Sequence, residues 1–334
     1  MRSYWWVPLS ALAVLSTACG PSGTIAHGNE NSVIVVAVDS LWSQVQDSVD
    51  RALETRIYTV RPEKTFKLTQ VSPESQDWVT LRQFRQVLAV GTPEDQWVAE
   101  ALKKSPKPVP SAPALVQAHD VWVRGQRVTI LELPHEGSAQ AMLSLLPRLH
   151  ALLDKQYRGY VLDRMFASGA NDALADTLKA HYGFSLRLPN IYRERDINDS
   201  TFVFFTDKSE GEPLVRWITV TWRTGAQAMT ESDILDWRQT LVNSFYDWKQ
   251  TVDSTHIPTD SVAGHPDALE VRGVWDGTVQ NFPQAGPFIT RVIPCASEHR
   301  DYLLDAWLYA PASDKYEYML QLDTILGSFD CGAS

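Results

Sequence analysis

The stretch Val33-Ile34-Val35-Val36-Ala37-Val38-Asp39-Ser40-Leu41-Trp42 decides how the chain begins to fold. Its first six residues form an unbroken, mostly β-branched apolar run, the mark of a buried strand. Asp39 or Ser40 then caps a helix. Its Leu41, Val45, Val49 and Leu53 recur every four residues and so line one face. Thr65 to Val71 alternates as a second strand, and Gln86 to Val90 reads as a short third. Glu94 to Lys103 is a helix opened by Pro93, with acids in its first turn that suit the helix dipole. Pro106, Pro108, Pro110 and Pro113 make a stiff connector. Ala114–Val123 and Arg127–Leu133 then read as a hairpin around Arg124-Gly125-Gln126. From Ser138 to about Phe166 the spacing is helical, with a bend or restart expected at Pro147. Strands alternating with helices predict an N-terminal α/β domain over residues 32–168.

The second half groups its strands differently. Ala173–His181 reads as a short helix ended by Gly183, followed by strands at Phe184–Leu188, Thr201–Thr206 and Arg216–Trp222. A helix over Glu231–Lys249, capped by Thr230, carries Ile234, Trp237, Leu241, Phe245 and Trp248 on one stripe. Strands at Leu269–Trp275, Phe288–Ile293 and Tyr302–Tyr309 precede a last helix that buries Tyr318, Leu322, Ile325 and Phe329. This order predicts a C-terminal domain over residues 169–334, an antiparallel sheet with helices covering one face. The fold class is thus mixed, α/β followed by α+β.

The first twenty residues carry an address. Arg2, the apolar run Val7–Leu15 and the small residues Ser16-Thr17-Ala18 before Cys19 have the order of a secretory signal peptide over residues 1–18. A cysteine directly after small residues suits lipid attachment at Cys19, although Ser16 stands where such sites usually have Leu. The apolar run is shorter than the ~20 residues of a membrane-spanning helix. Residues 19–31 are small and polar and read as a tether. In an oxidising compartment the remaining cysteines, Cys295 and Cys331, form an even pair. The last strand runs away from the turn beside Cys295 and the last helix runs back. That path returns Cys331 towards Cys295 and predicts a disulfide that staples the final helix.

The chain has a formal charge of −10, with 44% hydrophobic and 21% charged residues. Those are globular proportions, and acidity spread along the chain argues against a nucleic-acid partner. Known catalytic patterns are not met. His135-Glu136 starts like a zinc-protease helix, but Ala139 occupies the place of the second histidine. Asp196, Asn198 and Ser200 have calcium-loop spacing, but Thr201 replaces the required glycine and the following residues read as a strand. The eight histidines have no metal-ligand spacing, so neither a metal nor a cofactor is implied.

One corner is a candidate site. His265, Arg272, Trp275 and Asp276, with Asp267, would give acid/base or sugar-binding chemistry if they converged. The simpler account is a capped loop, a core tryptophan and an Asp276-Gly277 turn. Trp217 and Trp222, two of twelve tryptophans, fall on opposite faces of one strand. Trp217 is either a partner or glycan surface or, more simply, packed against the other domain.

Several short motifs occur in a fixed order: Val38-Asp39-Ser40-Leu41-Trp42, Tyr182-Gly183-Phe184 with Leu186 and Pro189, Arg272-Gly273-Val274-Trp275, Gly286-Pro287-Phe288, and Leu308-Tyr309-Ala310-Pro311. Through them nearly the whole chain after the leader resembles the envelope lipoproteins of domain-of-unknown-function family 4837, typical of Bacteroidota. That resemblance implies an anchored envelope protein and transfers no catalytic residue. In element order the second half is also similar to Mog1/PsbP-like sandwiches, which mostly serve as binding or assembly modules. The expectation is a lipid-anchored envelope protein, at the outer membrane and facing the periplasm, because Gly20 and no acidic cluster follows Cys19. Its expected task is non-catalytic binding or assembly, with the membrane and an envelope protein or glycan as partners. The alternatives are a hydrolase of glycans or peptidoglycan, or a purely structural lipoprotein.

Overall fold

The computed structural model describes residues 24–134, 138–208, 212–225, 229–259, 262, 265–279 and 282–332. The leader, Cys19 and the His135-Glu136 pair lie outside the described residues. The chain opens with β1 (Ser32–Val36), α1 (Asp39–Leu53), β2 (Arg56–Ile57), β3 (Glu63–Lys64) and β4 (Lys67–Val71). There follow α2 (Trp78–Leu81), β5 (Gln86–Gly91), α3 (Gln96–Leu102), β6 (Ala114–His119), β7 (Arg127–Glu132) and the long α4 (Ala139–Met165). Five of these strands form one sheet in the order β4-β1-β5-β7-β6, parallel except for the β6–β7 hairpin.

The opening apolar run lies in the middle of this sheet. Val33 and Val35 face α1 and α4, while Ile34 and Val36 face α2 and α3. Both faces are covered, so no polar alternation is needed. Each fully buried Val or Ile there contributes about 1.5–3 kcal/mol relative to an exposed one. Helix α4 runs through Pro147 without a break, contrary to the expected restart. Pro147 is on the exposed side of the helix, where water can serve the carbonyl that its missing N–H leaves unpaired. Residues 24–31 are not a free tether. The Ala26 N–H donates to the Arg124 carbonyl at 2.9 Å, and the Arg85 N–H donates to the His27 carbonyl at 2.7 Å. These bonds tie the segment to the residues just before β5 and β7.

The second half continues with α5 (Asp172–Tyr182), β8 (Phe184–Ser185), β9 (Arg193–Asn198), β10 (Thr201–Lys208) and β11 (Leu214–Thr224). It is completed by α6 (Glu231–Phe245), β12 (Gln250–Thr259), β13 (Leu269–Val279), β14 (Phe282–Cys295), β15 (Arg300–Tyr309), α7 (Tyr316–Gly327) and β16 (Asp330–Cys331). Seven strands make an antiparallel sheet in the order β12-β13-β14-β15-β11-β10-β9. The mixed fold class is as expected, but both faces of this sheet are covered. Helix α6 packs with Trp217, Val271, Trp275 and Leu303 on one face, and α5 and α7 pack with Phe204, Ile218, Ile289 and Leu304 on the other.

Two other expectations change. The strand foreseen over Phe184–Leu188 is a two-residue piece paired with β16. Helix α6 stops at Phe245, because Tyr246 turns to an extended conformation (ψ 132°) and sends its hydroxyl inwards. The calcium-like spacing is a β9–β10 hairpin turn, in which the Asn198 side-chain oxygen accepts the Ser200 N–H at 2.9 Å.

Helix α7 belongs to both cores. Tyr316 and Leu320 pack with α1 and α4, whereas Leu322, Ile325 and Leu326 pack on the second sheet. Helix α7, from the second region, thus also packs in the core of the first. Glu63 accepts hydrogen bonds from the backbone N–H groups of Lys315 (2.6 Å) and Tyr316 (3.1 Å), tying the start of α7 to the first half. At its other end, Cys331 is joined by a disulfide to Cys295, with Cα atoms 6.0 Å apart.

Candidate functional site

The seam that α7 bridges contains a cleft of about 450 Å³. His150, Asp154 and Arg158 recur every four residues along α4 and so share one face of it. Opposite them stand Tyr316 and Asp323 of α7 and Arg272 of β13. The wall is made of paired charges. The Arg158 Nε donates to Asp154 at 2.7 Å, and the Arg272 guanidinium donates to Asp323 at 2.7 Å and to Glu270 at 2.5 Å. Arg291, buried behind Arg272, donates to both Glu270 and Asp323. Burial opposes the Arg272 charge, but the Asp323 and Glu270 carboxylates outweigh it and hold its pKa above the ordinary arginine value. Burial, followed by the charge of Asp154, pushes the Tyr316 phenol up to about 12. At neutral pH the cleft thus presents fixed ion pairs and a neutral phenol, which suits polar recognition.

Of the sequence-derived corner, only Arg272 reaches this cleft. His265 donates from its ring Nε2 to the Phe329 carbonyl at 3.0 Å, beside the end of α7. Trp275 is 0% exposed and points to the other face of β13, edge-on to Trp307 at 5.5 Å. Asp276 accepts a hydrogen bond from the Thr251 hydroxyl at the exposed rim of β12. Strand parity explains the dispersal, since Arg272 and Trp275 are three residues apart and must face opposite ways. Trp217 is 9% exposed and so is not an open surface. Its cover is Tyr246 and Trp307 of the same half, at ring distances of 5.8 and 5.5 Å, and not the other half.

Three of the resemblance motifs, those at Arg272–Trp275, Gly286–Phe288 and Leu308–Pro311, do converge. Trp275 is the cross-strand partner of Gly286, and a side chain at Gly286 would collide with the Leu308 carbonyl oxygen and the Trp275 indole. The motifs preserve a close strand approach, and that is a packing role.

A second titratable cluster lies sealed beneath α6. The Arg238 Nε donates to Asp305 at 2.8 Å, with both side chains 0% exposed. Asp305 also accepts from the Tyr246 hydroxyl at 2.6 Å and the Thr290 hydroxyl at 2.5 Å. Another Arg238 N–H donates to the Gln250 side chain at 2.6 Å, and its guanidinium carbon stacks over Phe288 at 4.1 Å. Burial, then the Asp305 charge, raises the Tyr246 pKa well above the ordinary value. Sequence periodicity missed Arg238, which takes an apolar-stripe position between Ile234 and Leu241. It also missed the α4 stripe, for which the recurrence at 150, 154 and 158 was the available signal. Among the described residues no group of three His, Cys, Asp or Glu side chains is placed to hold a metal ion.

No curated protein matches the chain in sequence. Among solved structures, the Ran-binding protein Mog1p of Saccharomyces cerevisiae is similar at 10% identity, with 45% of this chain and 90% of that chain covered and a TM-score of 0.29. A structure from Bacteroides thetaiotaomicron is 7% identical over 45% of each chain, with a TM-score of 0.26. LpqN of Mycobacterium tuberculosis, a protein involved in cell envelope biogenesis, is 13% identical, with 43% of this chain and 79% of that chain covered and a TM-score of 0.26. The strand order, and not these likenesses, defines the sandwich. Residues 26–147 match the family model described as Domain of unknown function (DUF8532), and the Val38–Trp42 motif lies within that match. The later motifs lie within residues 171–328, which match the family model described as Domain of unknown function (DUF4837).

Proposed function

We propose that this is a lipid-anchored protein of the cell envelope whose folded part is a non-catalytic binding or assembly module. The anchor is Cys19, the leader is residues 1–18, and the location is the outer membrane, facing the periplasm. The working parts are the regions 32–168 and 169–334 joined through α7, and the ligand or partner segment occupies the cleft between them. The cleft itself carries this reading. It is assembled from α4, α7 and β13, and its charged side chains stand as fixed ion pairs along both walls. The dispersal of His265, Trp275 and Asp276 into separate structural contacts supports binding over hydrolysis. Among the described residues no helix is long and apolar enough to cross a membrane. A single lipid chain binds a bilayer only marginally, so two or more acyl chains are expected at Cys19.

The test uses the full chain expressed in a bacterial host fed a clickable palmitate analogue. The wild type should take the label and sediment with membranes, and Cys19→Ala should lose both properties. Cross-linking from a photoreactive residue at position 150 should capture an envelope component, and Asp154→Asn with Asp323→Asn should weaken capture. Unlabelled wild type would overturn the anchor alone. Reproducible turnover of peptidoglycan or glycan that His265→Ala or Asp276→Asn abolishes would overturn the binding reading.

A further inference from the structure

On the α6 face of the second sheet is another cavity, of about 200 Å³, separate from the cleft. Its floor is written into the strand register. Phe205 of β10 pairs with Trp217 of β11, and Trp217 pairs with Trp307 of β15, so three aromatic rings form a row across three strands. Phe205 and Trp217 are 5.2 Å apart, and Trp217 and Trp307 are stacked at 5.5 Å. Trp248, just beyond α6, leans on Trp307 at 5.5 Å and closes one side. Two carboxylates, Asp207 and Asp247, stand at the mouth.

The protein's own cations already use this surface. The Arg195 guanidinium carbon sits 5.3 Å from the Trp217 ring centre, with a nitrogen 3.8 Å from Asp247. Arg193 repeats the arrangement over Phe205 at 4.6 Å, paired with Asp207. Both arginines come from β9, the outermost strand, and Arg195 is 42% exposed, so it can swing into solvent. Aromatic faces attract cations through the ring quadrupole, most strongly where water is excluded, and nearby carboxylates add Coulombic attraction. The volume is below that of a drug-sized pocket and suits one compact head group.

We infer that this cavity is a binding site for a small organic cation of the quaternary-ammonium type, with Arg195 as a built-in competitor that the ligand displaces. Trp217 supplies the face that Arg195 now covers, Trp307 backs it by stacking, and Asp247 is the counter-charge freed when Arg195 leaves. Nothing in this site depends on the cleft or on the lipid anchor.

The decisive experiment is a calorimetric titration of the folded protein with choline and with tetramethylammonium at matched ionic strength. The control is 3,3-dimethylbutan-1-ol, the neutral carbon isostere of choline. Both cations should bind and the isostere should bind at least about tenfold more weakly, since the attraction is to charge. Arg195→Ala should tighten cation binding by about threefold to tenfold by removing the competitor, and Asp247→Asn should weaken it by a similar factor. Both positions are exposed, so neither variant threatens the fold. Equal binding of the isostere, no saturable signal from either cation, or an Arg195→Ala variant that binds no tighter would each overturn the inference.

Discussion

Breaking the Cys295–Cys331 bond tests how the final helix is held. The two residues are separated by 36 positions, and the loop between them contains β15 and α7. The loop-entropy relation for a closed loop of that size gives about 13 cal/mol/K, or about 4 kcal/mol at 25 °C, by which the cross-link disfavours the unfolded chain. The assay is urea unfolding followed by tryptophan fluorescence, run on oxidised protein, on reduced protein and on the Cys295→Ala/Cys331→Ala variant. With a urea slope of about 3 kcal/mol per molar, the oxidised midpoint should lie about 1.3 M above the reduced one. Cys295 is buried, so the double variant should fall slightly below the reduced wild type by the cost of the lost sulfur's packing. Thiol counting confirms which state is measured. Coincident oxidised and reduced midpoints would refute the reasoning, because the loop would then be equally restrained with or without the bond.

Other perturbations reach other parts of the structure. Arg238→Ala strands the Asp305 carboxylate in a sealed site and should cost about 3–5 kcal/mol, and Arg238→Met with Asp305→Leu should recover part of it. Thermal melts check both, and a single variant as stable as the wild type contradicts the assigned pairing. Burial lifts the phenols of Tyr192 and Tyr302 to about 12 and also raises Tyr246. The unfolded chain therefore releases these protons first, near the ordinary value of 10. Their stabilisation is fully present below pH 10 and is lost as pH rises towards 12, so circular dichroism and tyrosinate absorbance should change together in that window. Tyrosinate absorbance that titrates fully while the circular dichroism holds would count against it. Gly286→Ala places a Cβ against the Leu308 carbonyl and should abolish soluble expression or sharply lower the melting temperature, and a variant that melts like the wild type would show that β14 and β15 can part.

What could be read from the sequence follows from where each element lies. The run Val33–Val38 and the stripe Leu41–Leu53 were legible because both strand faces and one helix face are buried by local neighbours. Strands β9 and β12 were not, since they are the two edges of the second sheet and carry polar residues such as Arg193, Glu194 and Arg195. An edge strand does not need an apolar signature, and charge there deters unwanted pairing. The corner of His265, Arg272, Trp275 and Asp276 failed because proximity in sequence was read as proximity in space, against strand alternation. The cleft was illegible for the opposite reason. His150, Arg272 and Asp323 meet only through tertiary packing over more than a hundred residues. The row of Phe205, Trp217 and Trp307 needed the strand register, which no single strand reveals.

The double allegiance of α7 sets a timetable for synthesis. Glu63 waits for Lys315, a partner 252 positions downstream, and the core around α1 and α4 stays open until Tyr316 and Leu320 arrive. At about 5–20 residues per second, the ribosome finishes α4 on the order of ten seconds before it delivers α7. Until α7 is delivered, the apolar strip that Tyr316 and Leu320 cover in the native structure has no cover. A chain cut short before residue 316 would leave the strip bare permanently, so premature termination should yield aggregates and not a smaller folded protein.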